Sequence, residues 1–241
     1  MTKTCSAQFS FKDHNGCTLD LPPGKVVCVG RNYAEHAKEL GNPVPKTPLF
    51  FIKPKTAIVD LEPEFKMPLT SEPCHFETEI AVLIGKQLKS SICNEVSRSD
   101  TEIENAIAGY GIALDLTLRQ LQNKLKAKGH PWEIAKSFDG ACPMGAFYTG
   151  KLKPNEAGLE CSVNEEVRQR GFAIEMIVGI VDLLKLITQY FTLEPGDVVM
   201  TGTPAGVGPL IFGDKFECKL LSKSHDGNVS ELVKYNSLVK N

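Results

Sequence analysis

The run His75-Phe76-Glu77-Thr78-Glu79-Ile80-Ala81-Val82-Leu83-Ile84 sets two carboxylates two residues apart inside an apolar, strand-like segment. Side chains alternate faces along a strand, so Glu77 and Glu79 point one way, together with His75, Ala81 and Leu83. Phe76, Thr78, Ile80, Val82 and Ile84 make the other, mostly apolar face. A segment this apolar passes through a protein interior, where adjacent carboxylates repel each other and are costly to bury unpaired. A fold that accepts it must bring positive charge to the pair, and a hard divalent cation with oxygen ligands is the natural candidate. The same spacing also suits a half-exposed strand with solvated glutamates. A third acid bears on the choice. Asp115 is the sole charge in Gly111-Ile112-Ala113-Leu114-Asp115-Leu116-Thr117. It suits a cap for a helix that follows, or the third carboxylate of a Mg2+ site, which keeps coordination positions for water or substrate.

The remaining composition excludes more than it selects. The chain has 241 residues, 42% of them hydrophobic and 23% charged, with a formal net charge of −2. These are ordinary values for a globular protein and give no basic stripe for nucleic acid or an anionic membrane. Eight cysteines (5, 17, 28, 74, 93, 142, 161 and 218) contain no C-x-x-C pair, which argues against a zinc knuckle and for reduced thiols. Met1 to Gln8 has no apolar core of a secretory signal. The longest apolar segment, Met176 to Phe191, includes Asp182 and Lys185 and is shorter than the ~20 apolar residues of a membrane span. The expected address is cytoplasmic, with no membrane and no nucleic acid as partner.

No linker or internal repeat divides the chain. Residues 1–24 are expected to form an N-terminal extension, a hairpin of Phe9–Phe11 and Cys17–Leu19 turned at Asp13-His14-Asn15-Gly16. Residues 25–241 then form the main domain. Val26–Val29 reads as a strand that opens a helix over 33–40, with Asn32 as N-cap, Glu35 completing a capping box and Gly41 as the stop. Strands are expected at 49–52, 56–59, 75–84, 109–116, 159–163, 167–170 and 197–201, and a long helix over 174–190. Another helix spans 117–128, and a closing hairpin turns at Asp226-Gly227. Short strands dominate without a βαβ rhythm, so the fold class is α+β around a rolled sheet with peripheral helices.

Several constellations carry possible chemistry. His36 and Glu39 stand three apart on one helix face, where a carboxylate fixes the imidazole tautomer and raises its basicity, or where the two form a solvated pair. Lys136, in Trp132-Glu133-Ile134-Ala135-Lys136-Ser137-Phe138-Asp139, suits neutralisation of a substrate carboxylate or an oxyanion, or a surface pair with Asp139. Arg119 and Gln122, also three apart, suit the same anion. Thr201 to Pro209 reads as a backbone anion nest. It lacks the Gly-Lys-Ser/Thr of a P-loop, and Gly109-Tyr110-Gly111 precedes a strand and lacks the third glycine of a dinucleotide fingerprint.

In order along the chain, five motifs together resemble the fumarylacetoacetate hydrolase family, in particular its acylpyruvase and oxaloacetate decarboxylase-like branch. They are Val29-Gly30-Arg31-Asn32-Tyr33-Ala34-Glu35-His36, His75-x-Glu77-x-Glu79, Gly109-Tyr110-Gly111 through Asp115-Leu116-Thr117-x-Arg119, Pro131-Trp132-x-x-Ala135-Lys136-Ser137-Phe138-Asp139, and Thr201-Gly202-Thr203-Pro204-x-Gly206-Val207-Gly208-Pro209. The resemblance implies a mixed β-roll like that family's C-terminal domain, in a homodimer. It implies Mg2+, with Mn2+ or Ca2+ as substitutes, on Glu77, Glu79 and Asp115. It further implies His36 and Glu39 as a water-activating dyad, Lys136 as a catalytic partner, and Arg31, Arg119, Gln122 and Thr203 as contacts to a 2-oxo acid substrate. Departures are Gln120 where relatives often have an acid, Glu165 where glycine is usual in a hairpin turn, and Phe76 beside the metal ligands. The implied activity is hydrolysis of the C–C bond of acylpyruvates to pyruvate and a carboxylic acid, with the metal stabilising the enolate. Oxaloacetate decarboxylation or 2-oxo acid tautomerisation at the same site is the alternative, and a non-catalytic metal-stabilised binding protein is the rival from another class.

Overall fold

The computed structural model describes residues 9–39, 48–92 and 97–241. Val26 to Val29 are almost wholly buried and form β1 (Val26–Gly30), which pairs antiparallel with β2 (Leu49–Lys53) and parallel with β12 (Val198–Met200). Beyond β12 come β6 (Thr78–Ile84), β7 (Ile107–Leu114), β9 (Cys142–Met144) and β3 (Ile58–Asp60), completing a mixed seven-stranded sheet. A five-stranded sheet runs β11 (Glu166–Phe172), β10 (Ala157–Val163), β14 (Lys215–Lys223), β15 (Val229–Lys240) and β4 (Glu64–Lys66). A small third sheet joins β13 (Gly208–Pro209), β5 (Cys74–Phe76) and β8 (Thr117–Leu118). Short helices lie at the periphery: α1 (Ala34–Glu39), α2 (Asp100–Glu104), α3 (Arg119–Ala127), α4 (Glu133–Lys136) and α5 (Ile180–Ile187). This is the sheet-dominated α+β roll expected, and one apolar core joins residues of its two large sheets.

The expected strand 75–84 is broken at Glu77. β5 belongs to the small sheet and β6 to the large one, so the chain changes sheets at the first glutamate. The Glu77 carbonyl there accepts the Asp115 amide at 2.8 Å, beyond the end of β7. His75 pairs with Thr117 and Pro209 in the small sheet.

Two other expectations fail for one shared reason. Asn32 does not cap α1. Its side-chain amide donates to the carbonyls of Val178 and Thr201 at 3.0 and 2.9 Å, and its Oδ1 accepts the Val178 amide at 2.9 Å. Its own carbonyl accepts the Ile177 amide at 2.8 Å. Backbone groups needed for a helix over 174–190 are thereby claimed from outside, and Gly179, with extended backbone, starts α5 only at Ile180. A 3₁₀ turn, Ala173–Glu175, is all that forms before it. Another short 3₁₀ turn, Lys55–Ala57, likewise replaces the start of the strand expected at 56–59.

Asp115 is not a helix cap: α3 begins at Arg119 after Leu118, without a side-chain cap. The Asn164-Glu165 turn forms despite the missing glycine, both residues adopting positive φ (51° and 71°). Asn164 is held there by Asp214 and by the Lys215 amide, at 2.8 and 3.0 Å. The hairpin turn at Asp13 to Gly16 forms as expected, and Phe11 beside it is fully buried against Phe147, ring centroids 5.6 Å apart. The Gly41 helix stop, Cys5 and Cys93 lie outside the described residues.

Replacing Asn32 by Ala strands the half-buried Val178 amide and two carbonyls. The expected loss is about 2–3 kcal/mol, read as a lower urea midpoint with an unchanged slope.

Candidate active site

The strand break, the end of β7 and the turns after it bring three acids to one point. Glu77, Glu79 and Asp115 are 5%, 1% and 1% exposed, and each offers an oxygen within 4.8 Å of the others'. Among the described residues they are the only such group of three or more acids, histidines or cysteines. Buried cations answer them. Lys136 Nζ, from α4, lies 2.9 Å from Glu77, 2.5 Å from Asp115 and 2.7 Å from the Thr117 hydroxyl. Lys53, fully buried at the end of β2, stands 2.8 Å from Asp115 Oδ1 and donates to the Lys136 carbonyl. Arg119, at the start of α3, pairs with Glu77 and donates to Gln122 Oε1 at 3.0 Å.

Compensation is uneven across the three acids. Burial pushes Glu77 upward, but Lys136, Arg119 and His36 outweigh it and hold its carboxyl below the usual range. Burial, with Asp115 and Glu77 alongside, raises Glu79 well above that range. Among the described residues its one hydrogen bond is from the Gly202 amide, at 2.7 Å. Burial disfavours the charged form of Lys136, yet Asp115 and Glu77 carry it up to about 12, so it stays an ammonium at neutral pH. Three clustered carboxylates, one of them without an ion-pair partner among the described residues, fit a hard divalent cation well.

His36, on α1 and 4% exposed, lines the same cleft. Its Nδ1 lies 3.3 Å from Glu39 Oε2, which leaves Nε2 as the second ring nitrogen for the cleft. Glu39 itself is not among the lining residues. It also accepts the Gly206 amide at 3.1 Å, tying α1 to the 201–209 loop. That loop is an anion nest, as its composition suggests, but the anions it holds here are the protein's own Glu79 and Glu39. Gly202 and Gly206 adopt φ of +95° and +102°, and a Cβ on Gly202 would stand 2.8 Å from that of Asn32.

Arg31, Gln122 and Thr203 also line the cleft, and Arg31 is held at φ 63° between β1 and α1. The Thr203 hydroxyl is committed internally: it donates to the Thr78 carbonyl at 2.9 Å and accepts from Gln169 at 2.7 Å. Gln169, on β11, also accepts the Thr78 amide and donates to the Pro204 carbonyl, at 2.9 and 2.8 Å. Sequence reasoning misses Gln169, Lys53 and Lys126. Lys53 ends an otherwise apolar strand, and Lys126 stands seven residues after Arg119 on the same helix face; both signals are legible. Gln169, flanked by arginines on a solvent-facing hairpin, carries none.

A carboxyl whose pKa is raised by folding holds its proton more tightly when folded, so it costs stability as pH climbs above the ordinary Glu range. In chelator, Glu79→Gln should match the wild type below that range and become progressively the more stable as pH rises. Urea midpoints across pH measure the difference. Mn2+ at a hundred times its Kd should stabilise the wild type by about 2.7 kcal/mol, and Glu79→Gln by clearly less at the same concentration.

Residues 25–234 match the fumarylacetoacetate (FAA) hydrolase C-terminal family. The oxaloacetate tautomerase YcgM of Escherichia coli (strain K12) is 48% identical over 212 residues, 85% of this chain and 93% of the relative. A mitochondrial oxaloacetate decarboxylase of Dictyostelium discoideum is 38% identical over 208 residues, 84% of this chain and 91% of the relative. Among solved structures, the fumarylpyruvate hydrolase of Pseudomonas aeruginosa in complex with Mn2+ and pyruvate superposes with a TM-score of 0.82 at 33% identity, over 97% of this chain and 96% of that one. The order of the site motifs, the rolled sheet and these matches agree, and the chain belongs to the fumarylacetoacetate hydrolase family.

Proposed function

We propose that this protein interconverts the keto and enol forms of oxaloacetate. The observation that carries the reading is the 48% identity to an oxaloacetate tautomerase across 93% of that enzyme. It favours the tautomerase alternative over the acylpyruvate hydrolysis that heads the expectations from sequence. The site's chemistry supports it: tautomerisation needs positive charge at the 2-oxo oxygen and a proton carrier near C3, but no attacking water.

Glu77, Glu79 and Asp115 are the residues that would hold a divalent cation, which when bound supplies the positive charge that acidifies the C3 hydrogens of a 2-oxo acid. His36 takes a proton from C3 through Nε2 while Glu39 keeps hold of Nδ1; the 2-oxo oxygen gains a proton from water, and the protonated His36 gives its proton to the hydroxide left behind. The reverse steps regenerate the ketone. Lys136 stays protonated and serves as a fixed positive neighbour rather than a base. Arg31, Arg119 and Gln122 orient the carboxylate beside the 2-oxo group, and Thr203 contributes through its backbone, since its hydroxyl is engaged. Loss of CO2 from oxaloacetate leads to a related enolate and belongs to the same site chemistry. Mg2+ or Mn2+ as the cation, a homodimer and a cytoplasmic address are part of the same proposal.

Hydrolysis of an acylpyruvate is the second reading, favoured by the likeness to the fumarylpyruvate hydrolase. The two separate in one experiment. Decay of the ultraviolet absorbance of enol-oxaloacetate should accelerate with Mn2+ and return to the spontaneous rate with EDTA. His36→Ala should cost about 10²–10⁴ in kcat. Cleavage of acetylpyruvate and fumarylpyruvate, measured alongside, should show the lower kcat/KM; the opposite order makes the protein a hydrolase.

A further inference from the structure

The cations in and behind the cleft are not equivalent, and several are tied to its own acids. Arg119 is engaged by Glu77 and Gln122, Lys136 by Glu77, Asp115 and Thr117, and Lys53 by Asp115. Each balances the site's own carboxylates. Lys126 is different. It lines the cleft, and among the described residues no carboxylate lies within ion-pair distance of it. Its ammonium rests 5.0 Å from the centroid of Trp132, and Trp132 packs on Phe51 at 6.2 Å. The lysine therefore belongs to the cleft wall. Lys124 and Lys128, its neighbours on the same helix, are exposed.

Arg119, Gln122 and Lys126 stand at i, i+3 and i+7 of α3, one face of the helix, and all three line the cleft. At 1.5 Å per residue, Lys126 starts about 10 Å along the axis from Arg119. It therefore lines the cleft one end of α3 away from Arg119. Burial and the nearby charges of Arg119, Arg31 and Lys136 lower its pKa to about 8. A helix-end lysine placed only for the helix dipole has no reason to sit half-buried among like charges. An anion arriving at this end of the cleft removes the conflict.

We propose that Lys126 binds the distal carboxylate of a dicarboxylic 2-oxo acid and sets the preference of this site for dicarboxylates over 2-oxo acids with a neutral tail. The assignment rests on the 2-oxo acid reading above and names the part of the substrate that reading leaves open. It also explains the aromatic support: Trp132 fixes the ammonium without neutralising it, so the full charge is available to the ligand.

Trp132 is the only tryptophan in the chain, so its fluorescence reports on ligands at this wall. With Mn2+-loaded protein, oxaloacetate and pyruvate are titrated separately within seconds of mixing, against wild type, Lys126→Met and Lys126→Arg. Lys126→Met should weaken oxaloacetate by about tenfold or more while pyruvate changes by less than about twofold. Lys126→Arg should recover most of the oxaloacetate affinity. Equal weakening of both ligands, or an oxaloacetate-to-pyruvate ratio unchanged in Lys126→Met, overturns the assignment. A wild type with the ratio but no metal-dependent tautomerisation sinks the tautomerase reading alone. A variant that turns over oxaloacetate with the wild-type ratio sinks the role of Lys126 alone.

Discussion

The ammonium of Lys136, between Glu77 and Asp115, is the contact around which the site is arranged. Removing a carboxylate from water is expensive, and this lysine answers two of the three at once. Its own carbonyl is gripped by Lys53, so the same residue links α4 to β2. Four separate stretches of chain thus meet at one charge: the end of β2, the break between β5 and β6, the turn after β7, and α4. Glu79 is left less well compensated: among the described residues its hydrogen bond comes from an amide, not from a lysine or arginine. That asymmetry suits the cluster to hold a cation, where a closed set of salt bridges would not.

A second linkage joins the acid cluster to the His36–Glu39 pair. The loop after β12 gives one amide to Glu79 and another to Glu39, and Glu39 holds His36. Gln169 fixes that loop against β6 through Thr203, Pro204 and Thr78. A residue of the five-stranded sheet thereby braces the loop that joins the acid cluster to the His36–Glu39 pair, although it touches neither carboxylate.

Much of the site is legible in the amino-acid sequence. The two glutamates in an apolar run, Asp115 in another, and His36 with Glu39 on one helix turn each pose an electrostatic question, and the cleft gathers Glu77, Glu79, Asp115 and His36, with Glu39 behind His36. What local patterns misrepresent is backbone. Asn32 has the spacing of a capping box, yet its amide serves chain segments well over a hundred residues away, and in doing so it ends the helix that Met176 to Phe191 suggests. Tertiary bonds override propensity at both ends of one interaction. The strand through Glu77 departs from its pattern for a similar reason. Its alternation is continuous, but the carbonyl of Glu77 is needed by Asp115, and the pairing partners change there. Gln169 leaves no trace in the pattern, because a glutamine between arginines says nothing about where its amide points.

The change of sheets at Glu77 also governs where this chain can grow or shrink. One residue added or lost between Phe76 and Ile80 would turn both carboxylates away from each other's partners and carry apolar side chains into the cleft. The tip of the β14–β15 hairpin, Ser224 to Asn228, is exposed and satisfies its turn with bonds of its own. Length variation in descendants of this sequence therefore has a natural outlet at that tip, while the stretch between the two glutamates is closed to insertion and deletion alike.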